Sequence, residues 1–217
     1  MTWSYWTCQG DQTRYSQYDY QGCPVGCGPV AWAMSIGWAD RRAAVGDPYW
    51  APRWGLYRQN GGTGANAVAP VVLDPGITNV ISELHNELGT FCIDNQGATF
   101  PWSMDSVWRY LNPRTGTWRI THWNSFGFSE DYIRNAAANS IIYRGAPAVI
   151  GTGWLSHYPL AYWYAEQRRV VRKSFLWWSW DEVEWDRSFF VNNGWGNDAQ
   201  NFAWVPASTW FAGMLYP

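Results

Sequence analysis

The chain has 217 residues, of which 47% are hydrophobic and 15% are charged. This size and composition fit one large domain or two closely packed halves with a sizeable core, and they exclude a disordered or fibrous protein. The net charge of −2 gives no electrostatic footprint for nucleic acid, and the sequence contains no apolar run of about 18 residues that would predict a membrane span.

Four cysteines limit the covalent chemistry: Cys8, Cys23, Cys27 and Cys92. They are too few for a disulfide scaffold and lack the paired spacing of a zinc site. If Cys27 is a free thiol, Cys23 has Cys8 and Cys92 as candidate partners, and a free Cys23 is equally expected. Residues 1–12 lack the charged head and apolar stretch of a secretion signal, so the sequence leaves the compartment open.

Helices are predicted in the first two thirds of the chain. The first begins at Cys27, since Pro29 suits a first helical turn and apolar residues recur at helical spacing after it. Asp74-Pro75 predicts the start of a helix over 77–88 that Gly89 ends. Further helices are predicted over 103–111 and over 129–143, the latter ended by Gly145.

Strands are predicted mainly in the last third, over 91–93, 148–151, 157–165, 170–180, 188–192 and 202–205, where aromatic and β-branched residues are frequent. This order predicts an α+β protein, with a helical lobe of about residues 1–145, a β lobe of about residues 146–217, and a cleft between them. A basic cluster alternates with valines and is interpreted as the solvated face and turn of a hairpin: Arg168, Arg169, Arg172 and Lys173.

The segment from Gln21 to Ala31, QGCPVGCGPVA, is the first chemical motif. A helix N-terminus stabilises a thiolate through its unpaired N–H groups, and Cys27 lies where such a helix begins. The neighbouring glycines let a substrate carbonyl approach the backbone. Gln21 lies six residues earlier, and its side-chain amide is a candidate donor to an oxyanion. A small buried cysteine is the alternative interpretation.

Two later motifs supply a base and an amide. His157 opens an apolar strand, which would hold an imidazole rigidly at a cleft. The segment FFVNNGWG then ends a strand at Asn192, whose amide can accept the imidazole N–H while Trp195 shields that bond from water. Each motif alone has a structural alternative, a satisfied core histidine and an ordinary turn, and the order Gln, Cys, His, Asn, Trp is more specific than any of its parts.

In these motifs the chain resembles papain-like cysteine peptidases, and it is most similar to the streptopain family. The resemblance implies a two-lobed fold, a Cys27–His157–Asn192 triad, Gln21 at the oxyanion, and no cofactor or metal. Asn192 is preferred over Asn193 because V-N-x-G-W-G then aligns without a gap. The loop at Gly97-Ala98 resembles the family's substrate-side loop.

Other features are less determined. Gly97-Ala98 is a candidate wall on which an extended substrate adds as a strand, with a flexible loop as the alternative. Trp154 and Trp195 are candidate groove residues. The chain departs from the family at Tyr158-Pro159, and the 35 residues from His157 to Asn192 leave room for a longer hairpin than usual.

The predicted activity is peptide-bond hydrolysis through an acyl-enzyme thioester, with a thiolate and a protonated His157 as the starting pair. The alternatives are amidase, deamidase or transpeptidase chemistry on a protein or peptide, and a silent binding module of the same fold. The expected partner is a protein or peptide. The chain begins about where a mature catalytic domain begins in that family, so a removed prosegment, a larger parent protein and a delivered toxin or effector domain all stay open.

Overall fold

The computed structural model contains helices and antiparallel strands in an α+β arrangement, and it describes residues 2–10, 12–52, 54, 69–115, 119–124, 127–153, 156–195 and 201–216. The helices confirm the predicted helical segments: α1 (Cys27–Ala44), α2 (Pro75–Glu87), α3 (Val107–Thr115, preceded by a 3₁₀ turn) and α4 (Glu130–Arg144). None of the described helices is both long and apolar enough to cross a membrane.

Local capping explains where two of these helices begin and end. The Asp74 side chain accepts a hydrogen bond from the Ile77 N–H at 2.8 Å, and the Ser129 hydroxyl accepts one from the Tyr132 N–H at 3.3 Å. Each bond satisfies a first-turn donor that the helix itself leaves unpaired. Gly145 ends α4 in the left-handed conformation with φ of 59°, which glycine adopts without a steric penalty.

One antiparallel sheet forms the other half of the architecture. In the described part of the chain it has seven strands in the order β10-β9-β8-β7-β11-β6, with β1 also paired to β8. Their bounds are β1 (Trp3–Thr7), β6 (Arg119–Asn124), β7 (Ala148–Ile150), β8 (Leu160–Phe175), β9 (Trp178–Asn192), β10 (Phe202–Pro206) and β11 (Phe211–Tyr216). Since β1 and β6 come from the first 145 residues, the predicted lobe boundary does not separate helices from strands.

Two short hairpins lie outside this sheet, β2–β3 (Asp19–Tyr20 with Cys23–Pro24) and β4–β5 (Phe91–Ile93 with Gln96–Ala98). A disulfide between Cys23 and Cys92 joins them, which settles the pairing that the sequence left open. Cys8 is a buried free thiol that donates to the Tyr162 carbonyl at 2.9 Å.

The hairpin of β8 and β9 is much longer than predicted. The sequence analysis predicted one strand over 170–180, and this is wrong because a two-residue turn at Leu176 and Trp177 divides that segment between β8 and β9. The segment contains no Gly, Pro or Asn to mark the turn. The neighbouring strands stop early, since β1 pairs only as far as Gln167 and β10 only as far as Ser188. Residues 168–185 are called the β-arm below.

Helix α1 is central to the core that positions the site. Most of its side chains are buried, and it packs against α2 and against β7, β8 and β11. Trp32 is fully buried, and its ring lies so close to Gly213 in β11 that a Cβ there would come within 2.7 Å of it. Packing on several sides therefore fixes the start of α1 relative to the sheet.

Candidate functional site

Cys27 is the first residue of α1 and is half-buried. Its sulfur lies within hydrogen-bonding reach of the backbone amides of Tyr158, Cys27 and Gly28. Two of these amides belong to the first turn of α1, as expected for a thiol at a helix N-terminus, and the third comes from the other end of the chain. The fold therefore brings Cys27 to the residue that follows His157.

The electrostatics of Cys27 are governed first by its burial. Burial raises the pKa of the thiol, and the surrounding backbone amides lower it by a smaller amount, so the pKa remains above its ordinary value. The thiolate expected at this helix N-terminus is therefore opposed by burial, because the helix start is packed into the protein.

His157 lies just before β8 in a backbone arrangement that also explains the unusual Tyr158-Pro159 pair. The carbonyl of His157 accepts from the Thr152 amide at 2.9 Å, and the carbonyl of Pro159 accepts from the Ile150 amide at 3.0 Å. Tyr158 lies between them, and its amide faces Cys27. Proline is tolerated at 159 because only its carbonyl takes part in this pairing.

Tyr158 also connects to the opposite side of the site. Its side chain is buried and its hydroxyl donates to the Thr99 carbonyl at 3.1 Å. The ring packs edge-on against Trp210 and Phe211, with centroids 5.1 and 5.5 Å away. Tyr158 thus fixes the residue next to His157 against both the core and the segment after β5, a role that the sequence analysis missed.

The imidazole of His157 is half-buried and in contact with Asn193. Burial lowers the pKa of His157, while hydrogen bonding to the side chain and backbone of Asn193 opposes that shift. Its Nε2 atom is buried and has no hydrogen-bond partner among the described residues. The neutral imidazole is therefore favoured, and it retains an unused nitrogen.

Cys27 and His157, both described, have no hydrogen bond between them in this structure. Their connection runs through the backbone amide of Tyr158. A thiol and a base commonly approach more closely once substrate is bound, so this geometry is compatible with a reacting pair. Trp195 lies over the histidine with ring centroids 5.6 Å apart, as the shielding role requires, and it is itself 45% exposed.

The structure brings Asn193, and not Asn192, to the histidine. Asn192 is fully buried, its amide donates to the Thr13 carbonyl at 2.8 Å, and its side-chain oxygen accepts from the Gly194 amide at 2.9 Å. Both ends of that side chain are therefore engaged in holding the strand end. This geometry does not support the preference for Asn192, and the residue that contacts His157 is the alternative, Asn193.

The turn that carries Asn193 is held from several directions. Asn201 fixes it with two bonds of 2.8 Å, one from the Asn193 amide to its carbonyl and one from the Trp195 amide to its side chain. Gly194 has φ of 75°, and a Cβ at that position would come within 2.9 Å of Val30 in α1. The turn therefore packs directly on α1, and only glycine fits there.

Gln21 is the residue that was predicted to donate to the oxyanion. Gln21 is exposed at the tip of the β2–β3 hairpin with φ of 58°, and its side chain has no hydrogen bond to Cys27 or His157 in the described structure. Gln17 is half-buried, and its backbone N–H donates to the Gly194 carbonyl at 3.0 Å, while its neighbour Ser16 forms an isolated antiparallel β-bridge with Trp195. The backbone of Ser16 and Gln17 therefore lies against the turn that carries Asn193.

The predicted substrate wall lies beside the segment that leads into α1. Gly97 approaches it so closely that a Cβ would come within 2.2 Å of the Pro24 carbonyl and 2.7 Å of the Gly26 amide. Ala98 follows on β5 and is half-buried. Both residues therefore border the approach to Cys27, while Trp154 lies outside the described residues.

The remaining histidines do not join this site in what is described. His85 on α2 contacts the Val25 carbonyl through Nδ1 at 2.8 Å, which explains it as a structural residue beside the loop that precedes Cys27. The side chain of His122 lies outside the described part. Within the described residues, no group of three or more His, Cys, Asp or Glu side chains is arranged to hold a metal ion.

No protein-family model, curated protein sequence or solved structure matches this chain significantly.

Proposed function

We propose that this chain is a papain-like, two-lobed cysteine peptidase in which Cys27 is the nucleophile, His157 the base and Asn193 the residue that orients the base. The observation that carries the proposal joins distant parts of the chain. The amide after His157 reaches the Cys27 sulfur, and the Asn193 side chain reaches the His157 ring. A thiol at a helix start, beside an imidazole that an amide orients, is the arrangement that thiol acyl transfer needs.

The directions of the two pKa shifts define the starting state of the mechanism. A raised pKa at Cys27 and a lowered pKa at His157 both favour neutral forms, so the pair begins as a thiol and an imidazole. As the sulfur attacks a peptide carbonyl, the free ring nitrogen of His157 takes the thiol proton. His157 is then a general base from the first step, in contrast to the thiolate–imidazolium pair expected from the sequence.

The later steps use the same groups in turn. The Cys27 backbone amide donates to the oxyanion that forms on the attacked carbonyl. The imidazolium then gives its proton to the departing amine, which leaves a thioester on Cys27. Water attacks that thioester as His157 accepts its proton, and the carboxylic acid product leaves with the thiol restored.

A second candidate is a binding module whose thiol does not react. The observation in its favour is the raised pKa of Cys27, because the thiolate is the reactive form and burial makes it scarce near neutral pH. The two candidates differ in what happens to Cys27 when a peptide occupies the groove. A peptidase forms a covalent acyl-enzyme at that sulfur, and a binding module does not.

The decisive experiment is digestion of a proteome-derived peptide library, read by mass spectrometry, with the native protein and Cys27→Ala. We expect native cleavage and a loss of roughly 10³-fold or more in the variant, with a nearly unchanged melting temperature. Products with altered side chains or new amide bonds would instead identify deamidation or transpeptidation.

Cys8→Ala is the matched control, because Cys8 is the other free thiol and lies buried against Tyr162. It should retain cleavage while losing stability. Cleavage that persists in Cys27→Ala would refute the proposed nucleophile.

A further inference from the structure

The β-arm projects from the sheet without support from neighbouring strands. Beyond Gln167, where β8 last pairs with β1, and Ser188, where β9 last pairs with β10, the two strands pair only with each other among the described residues. From residue 168 to the turn is about nine residues, or roughly 28 Å of strand. An isolated two-stranded hairpin is marginal in water, so an arm of this length requires a reason beyond the stability of the fold.

The end of the β-arm is apolar and exposed. Four successive side chains at the turn are Phe175, Leu176, Trp177 and Trp178, with exposed fractions of 69%, 74%, 82% and 68%. Trp180 follows on β9 and is 47% exposed. Residues 174–180, called the tip below, contain three tryptophans, one phenylalanine, one leucine and two serines, and none of them is charged.

The backbone at the turn supports a functional role for these exposed apolar side chains. Leu176 has φ of 53°, and it is the first of the two turn residues, a position where tight hairpins of this kind usually have glycine. A branched side chain in the left-handed region is strained. Strain of this sort is retained where a side chain serves a function, so the leucine is best explained by what it contacts outside the chain.

The charges of the β-arm are kept away from the tip and nearly cancel. Arg169 pairs with Glu184 at 2.9 Å, Arg172 with Asp181 at 3.2 Å, and Lys173 with Glu182 at 2.8 Å. These ion pairs, called the charged stem below, form the solvated face of a hairpin that was predicted for the basic cluster. From the last charged residues to the turn is about three residues, or roughly 10 Å.

The size and shape of the tip distinguish between a protein and a lipid surface as its binding partner. Residues 175–178 together expose roughly 600 Å², at about 150–250 Å² for each large aromatic ring. A stable protein interface needs about 800 Å² on each side, usually over a broader surface. A convex apolar projection enters a deformable medium without needing a matching pocket, and an uncharged end about 10 Å deep matches the interfacial layer of a bilayer.

We propose that the tip inserts into the interfacial region of a lipid bilayer and attaches the protein to a membrane surface without spanning it. Tryptophan prefers this layer, since its ring suits the acyl boundary and its N–H suits the headgroups. The paired charges of the stem lie at the headgroup level. Because those charges nearly cancel, attachment does not require anionic lipid. The inference is independent of any chemistry at Cys27.

Flotation of the full-length chain with phosphatidylcholine vesicles, alone and with added phosphatidylserine, tests this inference. We expect the protein to float with both kinds of vesicle and to stay bound in high salt. The double variant Leu176→Gly/Trp177→Ser should lower the partition coefficient at least tenfold. Leu176→Gly relieves the positive-φ strain, so its melting temperature should be equal or higher and unfolding cannot explain the loss.

Trp185→Ser is the matched control, because it removes an exposed tryptophan from the same β-arm below the charged stem. It should leave the partition coefficient within twofold of the native value. Equal losses in the tip variant and in this control would overturn the proposal, since they would report general apolarity and not insertion of the tip.

A second readout locates the inserted residue. An environment-sensitive dye on Leu176→Cys, in a Cys27→Ala background, should shift to the blue and be quenched by brominated acyl chains. The same dye on Ser208→Cys, exposed on the body, should do neither. Absence of binding to either vesicle would overturn the inference in favour of a protein pocket, and binding only to anionic vesicles that high salt abolishes would overturn it in favour of the charged stem.

Discussion

The two ends of the β8–β9 hairpin have the same backbone pairing and opposite surroundings. At the base, β8 is flanked by β7 and β1 and β9 by β10, so Tyr164, Phe189 and Val191 are buried. Along the β-arm the flanking strands are gone, and comparable residues such as Val170 and Val183 are exposed. An aromatic or β-branched pattern therefore predicts a strand, and neighbouring elements decide whether that strand becomes core.

The difference extends to polar groups. At the base, Asn192 and Asn193 are buried and each contacts specific partners, and loss of the Asn192 side chain leaves buried groups unsatisfied. On the β-arm the charged side chains pair across the strands in water, where such pairs contribute little to stability. We therefore expect substitutions at the base to change activity and stability, and substitutions on the β-arm to change attachment to a surface.

The largest expected effect is at the base. His157→Ala should lower kcat/KM for a cleaved peptide by roughly 10³-fold, within the range for loss of a general base. Arg172→Ala, which breaks an exposed ion pair on the β-arm, should leave kcat/KM unchanged. A peptide-cleavage assay of both variants makes the comparison, and a similar loss in each would remove the distinction between base and arm.

The adjacent asparagines should separate activity from stability. Asn193→Ala should lower kcat about 10- to 100-fold, because His157 loses the residue that orients it, while the melting temperature changes little. Asn192→Ala should cost about 3 kcal/mol in unfolding free energy, since the Thr13 carbonyl and the Gly194 amide lose their buried partner. Kinetics and denaturant titration measure the two effects, and the reverse outcome would restore Asn192 as the orienting residue.

The pH dependence of alkylation and of kcat/KM tests whether Cys27 and His157 are both neutral at rest. Because the pKa of Cys27 is raised, its alkylation by iodoacetamide should keep rising through neutral pH and reach half its maximum above the ordinary thiol value of about 8.5. Because the pKa of His157 is lowered, the imidazole stays neutral at more acid pH, and the acid limb of kcat/KM should lie below about pH 6.5. A plateau of alkylation between about pH 5 and 7 would show a thiolate–imidazolium pair.

The smallest expected effect comes from removing most of the β-arm. Replacing residues 169–184 by Asn-Gly joins Arg168 to Trp185, a cross-strand pair, through a favourable tight turn. Calorimetry should show a melting temperature within a few degrees of the native value, because the deleted side chains are mostly exposed. Failure of this variant to fold would show that the arm supports the base.

Local signals made part of this molecule predictable. The start of α1 at Cys27, the cap at Asp74 and the end of α4 at Gly145 each depend on residues within a few positions, so sequence patterns identify them. The closeness of His157 to that helix start was an expectation from motif order alone. It depends on a sheet whose first and sixth strands the sequence did not indicate.

Sequence patterns do not distinguish neighbouring residues of the same type. Asn192 and Asn193 are the same amide at successive strand positions, and the choice between them depends on Thr13 and Gly194. Gln21 lies at a hairpin turn that exposes it to solvent, and its distance from Cys27 in sequence does not indicate this turn. The Leu176 turn has no sequence marker, because its residues would suit the middle of a strand equally well.

The disulfide between Cys23 and Cys92 has a consequence for the neighbouring thiol. Cys23 lies four residues before Cys27, in the hairpin that leads into α1, so a free thiol and a sulfur–sulfur bond share one short segment. Thiol–disulfide exchange requires the thiolate as attacker. Burial raises the pKa of Cys27, and it thereby lowers the fraction of thiolate that could exchange with the bridge.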